Sequence, residues 1–305
     1  MNRARALTAG LLAGALAVTL SACGPDSGPG STGGKTVSIT VGSLQSSQSQ
    51  MVAQLYGQVL AHEGYDVSYN PGVGARAAYL TALQEGVVDI VPETVGSLLS
   101  TLDSSQRYSD PSVIATAVRT YFDDQELPLH LLEPAPAQDA YSFVMTKDFA
   151  RTHNIVTLRD LAPIAPGVSI GGLPGFDALP IARTGLDRVY GVRDWEFVPF
   201  ESDTTAPLID ALIADTVQVV AISSASTDII GNDLVVLGDP SGLIVAQNIA
   251  PVVNDEVFSE RVERTLNDLS KTFTTSDLRE LTAAGEKRSY ENAAREWLLE
   301  HGFLE

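Results

Sequence analysis

The chain has 305 residues, a size that fits one large or two medium domains behind an N-terminal leader. Its 38 acidic residues against 19 basic ones give a formal charge of −19. A surface this acidic argues against nucleic acid as a partner and against adhesion to anionic lipid. Charge alone identifies no partner.

The first residues are predicted to be a secretion signal. Arg3 and Arg5 form a positively charged start, and the apolar run 7–20 is too short to span a bilayer comfortably. Small residues then precede Cys23, the single cysteine of the chain. This pattern resembles the lipobox of bacterial lipoproteins, in which the cysteine is lipidated and becomes the mature N-terminus. An ordinary secretory signal with an incidental cysteine is the alternative.

We therefore predict a lipoprotein signal peptide over residues 1–22 and a lipid-anchored flexible tether over residues 23–35. The tether sequence is Gly, Pro and Ser with almost nothing to bury. Two or more acyl chains on Cys23 would hold the protein stably at a membrane surface. The expected location is extracytoplasmic, on the outer face of the cell membrane.

Strand and helix patterns alternate from residue 37 to residue 222, which predicts α/β architecture with mostly parallel sheets. The periodicity predicts strands at 37–43, 65–69, 87–91, 129–132, 141–145, 168–171, 195–199 and 217–222. It predicts helices through 51–60, at 75–85, from 92, at 112–125, near 178–190 and at 206–214. After residue 253 only helices are expected, at 256–270, 275–284 and 291–301.

Two extended segments interrupt this alternation. In residues 131–146, Pro134 and Pro136 prevent a helix and lead into a buried strand. Residues 234–253 contain two apolar runs separated by the turn sequence DPSG. Stiff segments of this kind suit crossings between two lobes. The pattern alone leaves two ordinary surface loops as an equal alternative.

One loop has the form of a dinucleotide-binding fingerprint. Gly72, Gly74 and Ala77 follow a predicted strand and open a predicted helix. However, the downstream acid Asp89 lies before the apolar part of its strand, whereas a ribose-binding acid lies at the carboxyl end. A secreted protein would also meet little NAD. The nucleotide interpretation is therefore the weaker one, although a helix N-terminus suits an anionic ligand group.

The sequence offers no catalytic constellation. It contains neither G-x-S-x-G nor H-E-x-x-H, and the mature domain would keep no thiol. The histidines are scattered, at His62, His130, His153 and His301. We expect no enzyme activity, no metal site and no cofactor.

Nine segments together resemble the substrate-binding proteins of ABC importers for glycine betaine, choline, carnitine and related osmoprotectants. They occur in the family's order and cover nearly all of the mature chain: GYDV (64–67), ALQEGVVDIVPETVGS (82–97), LLEPAPAQDAYSFVMTKDFA (131–150), LRDLAPIAP (158–166), SIGGLP (169–174), GLDRVYGV (185–192), DLVVLGDPSGL (233–243), NIAPVV (248–253) and EWLLEHG (296–302). The resemblance implies a type II periplasmic-binding-protein-like fold, with two crossing strands as the hinge between two lobes.

The same resemblance implies lobe 1 at residues 36–138 plus 243–305 and lobe 2 at residues 139–242. It implies an extracytoplasmic solute-binding lipoprotein of an ABC importer, with a small-molecule ligand and permease subunits as partners. A ligand-sensing or interaction module that kept the fold without transport is the alternative.

The chain departs from the family at the aromatic cage that usually holds the quaternary ammonium. Where the family has, in type, Tyr-Pro-Glu-Tyr-Thr-Gly, residues 91–96 read VPETVG. The aromatic-Thr-Thr-Asp element is SSAS at 223–226, a tyrosine is replaced by Gln247, and the first-strand loop at 46–49 is SSQS. Each lost ring removes roughly 0.5–2 kcal/mol of cation–π attraction. We therefore expect a ligand other than betaine, one that carries several hydroxyl groups.

Polar side chains at the family's site positions define the expected ligand site, because Gln and Ser suit a hydroxylated ligand better than a tetraalkylammonium group. Tyr141 and Phe176 offer a partial stacking surface, whereas core packing is the preferred interpretation of Phe143. The expected ligand-binding residues are Gln45, Ser47, Gln48, Glu93, Thr94, Asp139, Tyr141, Ser223, Ser224 and Gln247.

Overall fold

The computed structural model describes residues 36–106, 108–202 and 204–305. The predicted signal peptide and tether, with Cys23, lie outside these residues. The strands, in chain order, are β1 Ser38–Ser43, β2 Asp66–Pro71, β3 Ile90–Thr94, β4 Leu129–Leu131, β5 Tyr141–Thr146, β6 Ser169–Gly172, β7 Glu196–Pro199, β8 Val219–Ser223, β9 Leu234–Val236 and β10 Ile249–Asn254.

Helices connect and cover these strands. The α-helices are α1 Ser47–His62, α2 Arg76–Gln84, α3 Val95–Leu102, α4 Pro111–Asp124, α5 Lys147–His153, α6 Arg183–Gly185, α7 Ala206–Ile213, α8 Asp228–Gly231, α9 Glu260–Thr272, α10 Thr275–Lys287 and α11 Tyr290–Glu300. Short 3-10 helices cover Leu158–Leu161, Ala165–Gly167 and Phe176–Ala178, and a π-helix covers Leu186–Tyr190. Within the described ranges, no helix combines the length and apolar character needed to cross a membrane.

The strands form two five-stranded sheets, in the orders β2-β1-β3-β10-β4 and β7-β6-β8-β5-β9. In the first sheet, β1 is parallel to β2 and β3, whereas β10 is antiparallel to β3 and β4. In the second, β6 is parallel to β7 and β8, whereas β5 is antiparallel to β8 and β9. We call the first sheet with its helices the first lobe, and the second sheet with its helices the second lobe.

The prediction of mostly parallel sheets is therefore wrong, and the topology gives the reason. β5 and β10 are the two strands that the chain enters on arriving from the other lobe. Each runs opposite to the parallel strands built by local βαβ units, and each adds two antiparallel pairings to its sheet. The α/β class and the two-lobed architecture are confirmed.

The segments 132–140 and 237–248 connect the sheets and run side by side where they cross. Ala135 N donates to Ile249 O at 2.8 Å, Ile249 N donates to Ala137 O at 2.9 Å, and Asp139 N donates to Gln247 O at 3.0 Å. A β-bridge between Gln138 and Asn248 continues this antiparallel pairing. The crossing interpretation is thus confirmed, and the surface-loop alternative is wrong.

The turn at 223–226, at the end of β8, makes further contacts between the lobes. Ala225 is buried in the first lobe's core, beside α1, α9 and α10. The Ser224 hydroxyl donates to Gln138 O and accepts from Ala140 N, both at 3.1 Å. From α10, Arg279 Nη1 donates to Ser224 O at 3.3 Å. The crossing is therefore held by second-lobe and first-lobe groups together.

Each sheet is buried on both of its faces, because consecutive residues of one strand point to opposite faces and both enter a hydrophobic cluster. In β3, Ile90 packs into the cluster under α1, and Val91 packs into the cluster under α3 and α4. In β5, Phe143 and Val144 likewise enter opposite clusters of the second lobe. Full burial of such a side chain stabilises the fold by about 1.5–3 kcal/mol.

Two predicted helices were wrong. The helix expected from residue 92 starts at Val95, because β3 continues to Thr94 in antiparallel pairing with β10. The helix expected near 178–190 is broken into a 3-10 turn, the short α6 and the π-helix. Pro180 lies in the break, and it lacks the N–H that a continuous helix would use.

Gly96 in α3 allows the second crossing segment to pack closely, and it yields a stability prediction. A Cβ at Gly96 would lie 2.4 Å from Ala246 O and 2.9 Å from a Val245 methyl group. We expect Gly96→Ala to lower the free energy of unfolding by about 1–3 kcal/mol, because the backbone must move to relieve the overlap. Urea denaturation measures this change.

The matched control is Gly231→Ala at the end of α8, where an added Cβ meets no heavy atom within 4 Å. The control should leave stability unchanged or slightly raised. Equal stability of the Gly96→Ala protein and the wild type would contradict the proposed close packing.

Candidate functional site

A cavity of about 230 Å³ opens where the carboxyl ends of β1 and β3 meet the crossing segments. Open α/β sheets bind ligands at this edge, because the loops that follow parallel strands converge there. Its lining residues are Leu44, Ser46, Gln48, Ser49, Val52, Arg76, Pro92, Glu93, Thr94, Ser97, Asp139 and Ile249. None of these described lining residues is aromatic.

An adjoining cavity of about 350 Å³ is lined by Leu44, Gln45, Gly74, Ala75 and Arg76. The two cavities share Leu44 and Arg76, so they neighbour each other. The Gly72-x-Gly74 loop therefore does face a recess. Asp89 lies elsewhere: it precedes β3 and accepts a hydrogen bond from Thr40 N at 2.7 Å. This placement supports the rejection of a dinucleotide site.

Glu93 and Arg76 form a bidentate ion pair in the cavity wall. Arg76 Nε donates to Glu93 Oε2 at 2.9 Å, and Arg76 Nη2 donates to Glu93 Oε1 at 2.8 Å. Thr94 adds hydrogen bonds to Oε1 from its backbone N at 2.7 Å and from its hydroxyl at 3.2 Å. The Glu93 side chain is 0% exposed, and that of Arg76 is 26% exposed.

Asp139 enters the cavity from the first crossing segment. Its carboxylate accepts a hydrogen bond from the Ser223 hydroxyl at the end of β8, and Ser223 Oγ also accepts from Ala225 N at 2.9 Å. Burial raises the pKa of Asp139 above its ordinary value, and the Ser223 hydrogen bond offsets part of that rise. Asp139, which is bonded to the second lobe through Ser223, thus places in the cavity a carboxyl group that is costly to ionise.

The first-strand loop contributes Gln48 to one cavity and Gln45 to the other. Ser47 is the first residue of α1 and lines neither cavity. Ser46 and Ser49 line the cavity instead: Ser46 Oγ accepts from Ser49 N at 3.2 Å, and Ser49 Oγ accepts from Leu44 N at 2.9 Å. These bonds fix the shape of the loop at the cavity edge.

Two predicted ligand-binding residues have intramolecular partners. Gln247 Oε1 accepts from Ser97 N at 2.9 Å and from Ser97 Oγ at 3.0 Å, which caps the first turn of α3. The Ser224 hydroxyl is bonded to Gln138 O and Ala140 N of the first crossing segment. Neither residue lines either of the two cavities described above; Gln247 bonds to α3, and Ser224 bonds to the first crossing segment.

Among the three aromatic residues considered for stacking, the structure separates Tyr141 from the others. Phe143 and Phe176 are buried in the second lobe's core, with ring centroids 5.8 Å apart. Tyr141 is 48% exposed, lies opposite Ser223 in the sheet register, and has its ring centroid 5.9 Å from that of Phe176. Tyr141 alone of the three offers an accessible ring.

Arg76 was not among the ligand-binding residues predicted from the sequence. The sequence feature that could have pointed to Arg76 is its position at the start of a predicted helix, directly after the glycine loop that suits an anionic group. Sequence spacing gave no indication that Glu93, seventeen residues later in the chain, would be its partner. Within the described residues, no group of three or more His, Cys, Asp or Glu could hold a metal ion.

The raised pKa of Asp139 yields a prediction about pH. An acid whose pKa is higher in the folded than in the unfolded state destabilises the fold as pH rises above its ordinary value near 3.8. We therefore expect Asp139→Asn to be more stable than the wild type at pH 7, because an amide oxygen still accepts from Ser223 without carrying charge. The difference should shrink toward zero as pH falls to the ordinary value.

Urea denaturation at several pH values measures this effect, and Asp210→Asn on the exposed face of α7 is the control expected to change stability little. A less stable Asp139→Asn protein at pH 7 would contradict the burial argument.

Comparison with known proteins places this geometry in a family. The family model described as the substrate-binding domain of an ABC-type glycine betaine transport system matches residues 37–300. This match covers both lobes and both crossing segments.

Solved structures of similar proteins share the fold at low sequence identity. One described as a glycine betaine/carnitine/choline ABC transporter has a TM-score of 0.79 and 20% identity, covering 88% of this chain and 100% of that chain. Apo YehZ from Escherichia coli has a TM-score of 0.77 and 20% identity, with the same coverage of 88% and 100%. Lactococcal OpuAC, closed on glycine betaine, has a TM-score of 0.52 and 17% identity, covering 87% and 96%. The chain belongs to the family of substrate-binding domains of ABC-type glycine betaine transport systems.

Proposed function

We propose that this protein is an extracytoplasmic solute-binding lipoprotein that delivers a polyhydroxylated ligand, rather than a betaine, to an ABC permease. The family match supports the transport role. The observation that carries the ligand class is the cavity lining, which contains Ser, Gln, Thr, Arg and carboxylate groups and no aromatic ring among the described residues. A quaternary ammonium has no hydrogen-bond donor or acceptor, so it would leave the Ser, Gln, Thr and Arg groups of this wall without a hydrogen-bond partner on the ligand, and Asp139 alone would attract it.

Opposite hydrogen-bonding roles in the cavity wall favour hydroxyl groups. Arg76 can only donate hydrogen bonds, whereas an ionised Asp139 can only accept them. A hydroxyl group both accepts and donates, so neighbouring hydroxyls on one ligand satisfy both residues. Gln48 adds an amide that does either. Tyr141 lines neither cavity, so its exposed ring is not part of this wall.

The proposed mechanism is binding that shifts a conformational equilibrium. Arg76 and Glu93 belong to the first lobe, whereas Asp139 is held by Ser223 of the second lobe. A ligand that contacts both sides stabilises the arrangement in which the lobes approach each other. The closed form then docks on the permease.

We propose the following chain organisation: a signal peptide over 1–22, a tether over 23–35 anchored through lipid at Cys23, a first lobe at 36–138 plus 243–305, and a second lobe at 139–242. The positions of the two sheets support the lobe boundaries, because β5 to β9 fall between residues 141 and 236.

A ligand-sensing or interaction module remains the second candidate. The same cleft and the same two lobes would serve it, and no permease would be required. A neighbouring gene for a permease or an ATPase favours import, whereas a neighbouring sensor-kinase gene favours sensing.

The ligand proposal predicts weak binding of quaternary ammonium compounds. We expect glycine betaine and choline to bind with dissociation constants of roughly 0.1 mM or weaker, because the cation would be desolvated without ring contacts. A polyol or saccharide that binds should lose about 1–3 kcal/mol of affinity in Asp139→Asn, because an amide replaces a charged acceptor. Titration calorimetry measures both. Micromolar binding of glycine betaine or choline would refute the proposed ligand class.

The anchor yields a second prediction. If Cys23 is lipidated, Cys23→Ser should move the protein from the membrane fraction to a soluble, unprocessed or mislocalised pool, because the acyl chains supply the membrane affinity. Fractionation and intact-mass spectrometry measure this. An unmodified Cys23 inside a longer mature chain would argue for an ordinary secretory signal.

A further inference from the structure

The ion pair between Arg76 and Glu93 gives the cleft a charge preference. We propose that Arg76 determines specificity: it neutralises the buried acid that would otherwise attract a cation, and it presents its own donors to an oxygen of the ligand. This inference rests on the proposed function only in assuming that the cavity beside Arg76 binds the solute.

Glu93 has little capacity left for a ligand. Glu93 Oε1 receives three contacts at 2.7–3.2 Å, one from Arg76 and two from Thr94, and Oε2 receives one from Arg76 at 2.9 Å, so only Oε2 keeps an acceptor position. Its side chain is 0% exposed. Glu93 therefore acts through Arg76 as a positioning residue, whereas the sequence predicted a direct ligand contact.

Arg76 is the more exposed member of the pair, and Glu93 lines only the smaller cavity. Arg76 lines both cavities, and its side chain is 26% exposed. Its Nε and Nη2 are bonded to Glu93. Among the described residues, no hydrogen-bond acceptor is paired with its Nη1, so these N–H groups remain available for a hydroxyl or carbonyl oxygen.

Charge then decides which ligands are favoured. With the pair intact, Arg76 and Glu93 contribute no net charge, and the more exposed of the two groups is the guanidinium. Removing Arg76 alone leaves Glu93 as an uncompensated carboxylate in the wall. Asp139 is unchanged in either case, so a change in cation affinity reports on the pair. Unit charges separated by a few ångströms near a protein surface change affinity by roughly 10–100-fold.

The test uses choline and its neutral isostere, in which a tert-butyl group replaces the trimethylammonium. Both are titrated into the full chain at pH 8, as the wild type, Arg76→Gln, Arg76→Lys and the double variant Arg76→Gln/Glu93→Gln. We expect Arg76→Gln to bind choline at least tenfold more tightly than the wild type. The Lys variant and the double variant should show no such gain, because the pair stays neutral in both.

A gain in affinity requires a folded protein, so a positive result cannot come from damage to the fold. Equal choline affinity in the wild type and Arg76→Gln would overturn the proposal, as would an equal gain in the double variant. The isostere is the control for charge: because it carries none, its affinity should differ less than threefold among the four proteins, and a tenfold gain for the isostere in Arg76→Gln would also overturn the proposal.

The test of Arg76 can succeed or fail independently of the test of the ligand class. Micromolar binding of choline to the wild type refutes the polyhydroxylated ligand. The role of Arg76 is then judged by the ratio of choline affinities between Arg76→Gln and the double variant, which the proposal requires to be tenfold or more.

Discussion

The antiparallel pairing of the two crossing segments is the interaction on which the site depends. The backbone bonds from Ile249 N to Ala137 O and from Asp139 N to Gln247 O join segments more than a hundred residues apart in the chain. Because these bonds fix the backbone of Asp139, its carboxyl group enters the cavity at a set position. The Ser224 hydroxyl clamps the same segment at Gln138 and Ala140. A rotation of one lobe against the other would have to preserve or exchange these few bonds.

The polar cavity follows from where the chain leaves each sheet. Strands β1 and β3 are parallel, so the loops after them meet at one edge, and β10 begins at that edge after the second crossing. The first lobe places the Arg76–Glu93 pair there, and the crossing places Asp139 opposite polar groups of the first-strand loop. We propose that a cavity wall of hydrogen-bonding groups without a ring, with Thr94 at one of the family's aromatic positions, changes the preferred ligand while the framework of the family is kept.

Sequence patterns predicted the framework better than the site. Prolines and apolar runs marked two extended segments, because both act locally on the backbone, but only the family resemblance favoured crossings over surface loops. The antiparallel entry of β5 and β10 was missed, because strand direction depends on tertiary topology. Family positions found Glu93 and Asp139, but not that Gln247 caps α3 or that Arg76 covers Glu93. Those roles depend on side-chain direction between distant segments, which spacing along the chain does not encode.

Ligand class is the central claim, and thermal unfolding across a panel of compounds tests it most directly. A compound that binds only the folded state raises the unfolding midpoint by mass action. The panel comprises glycine betaine, choline, carnitine, alditols, disaccharides and aromatic glycosides, each at the same concentration. The account predicts that one or more hydroxylated compounds raise the midpoint while the quaternary ammonium compounds leave it unchanged. A rise with glycine betaine, choline or carnitine would contradict it, as would the absence of a rise with every alditol, disaccharide and glycoside.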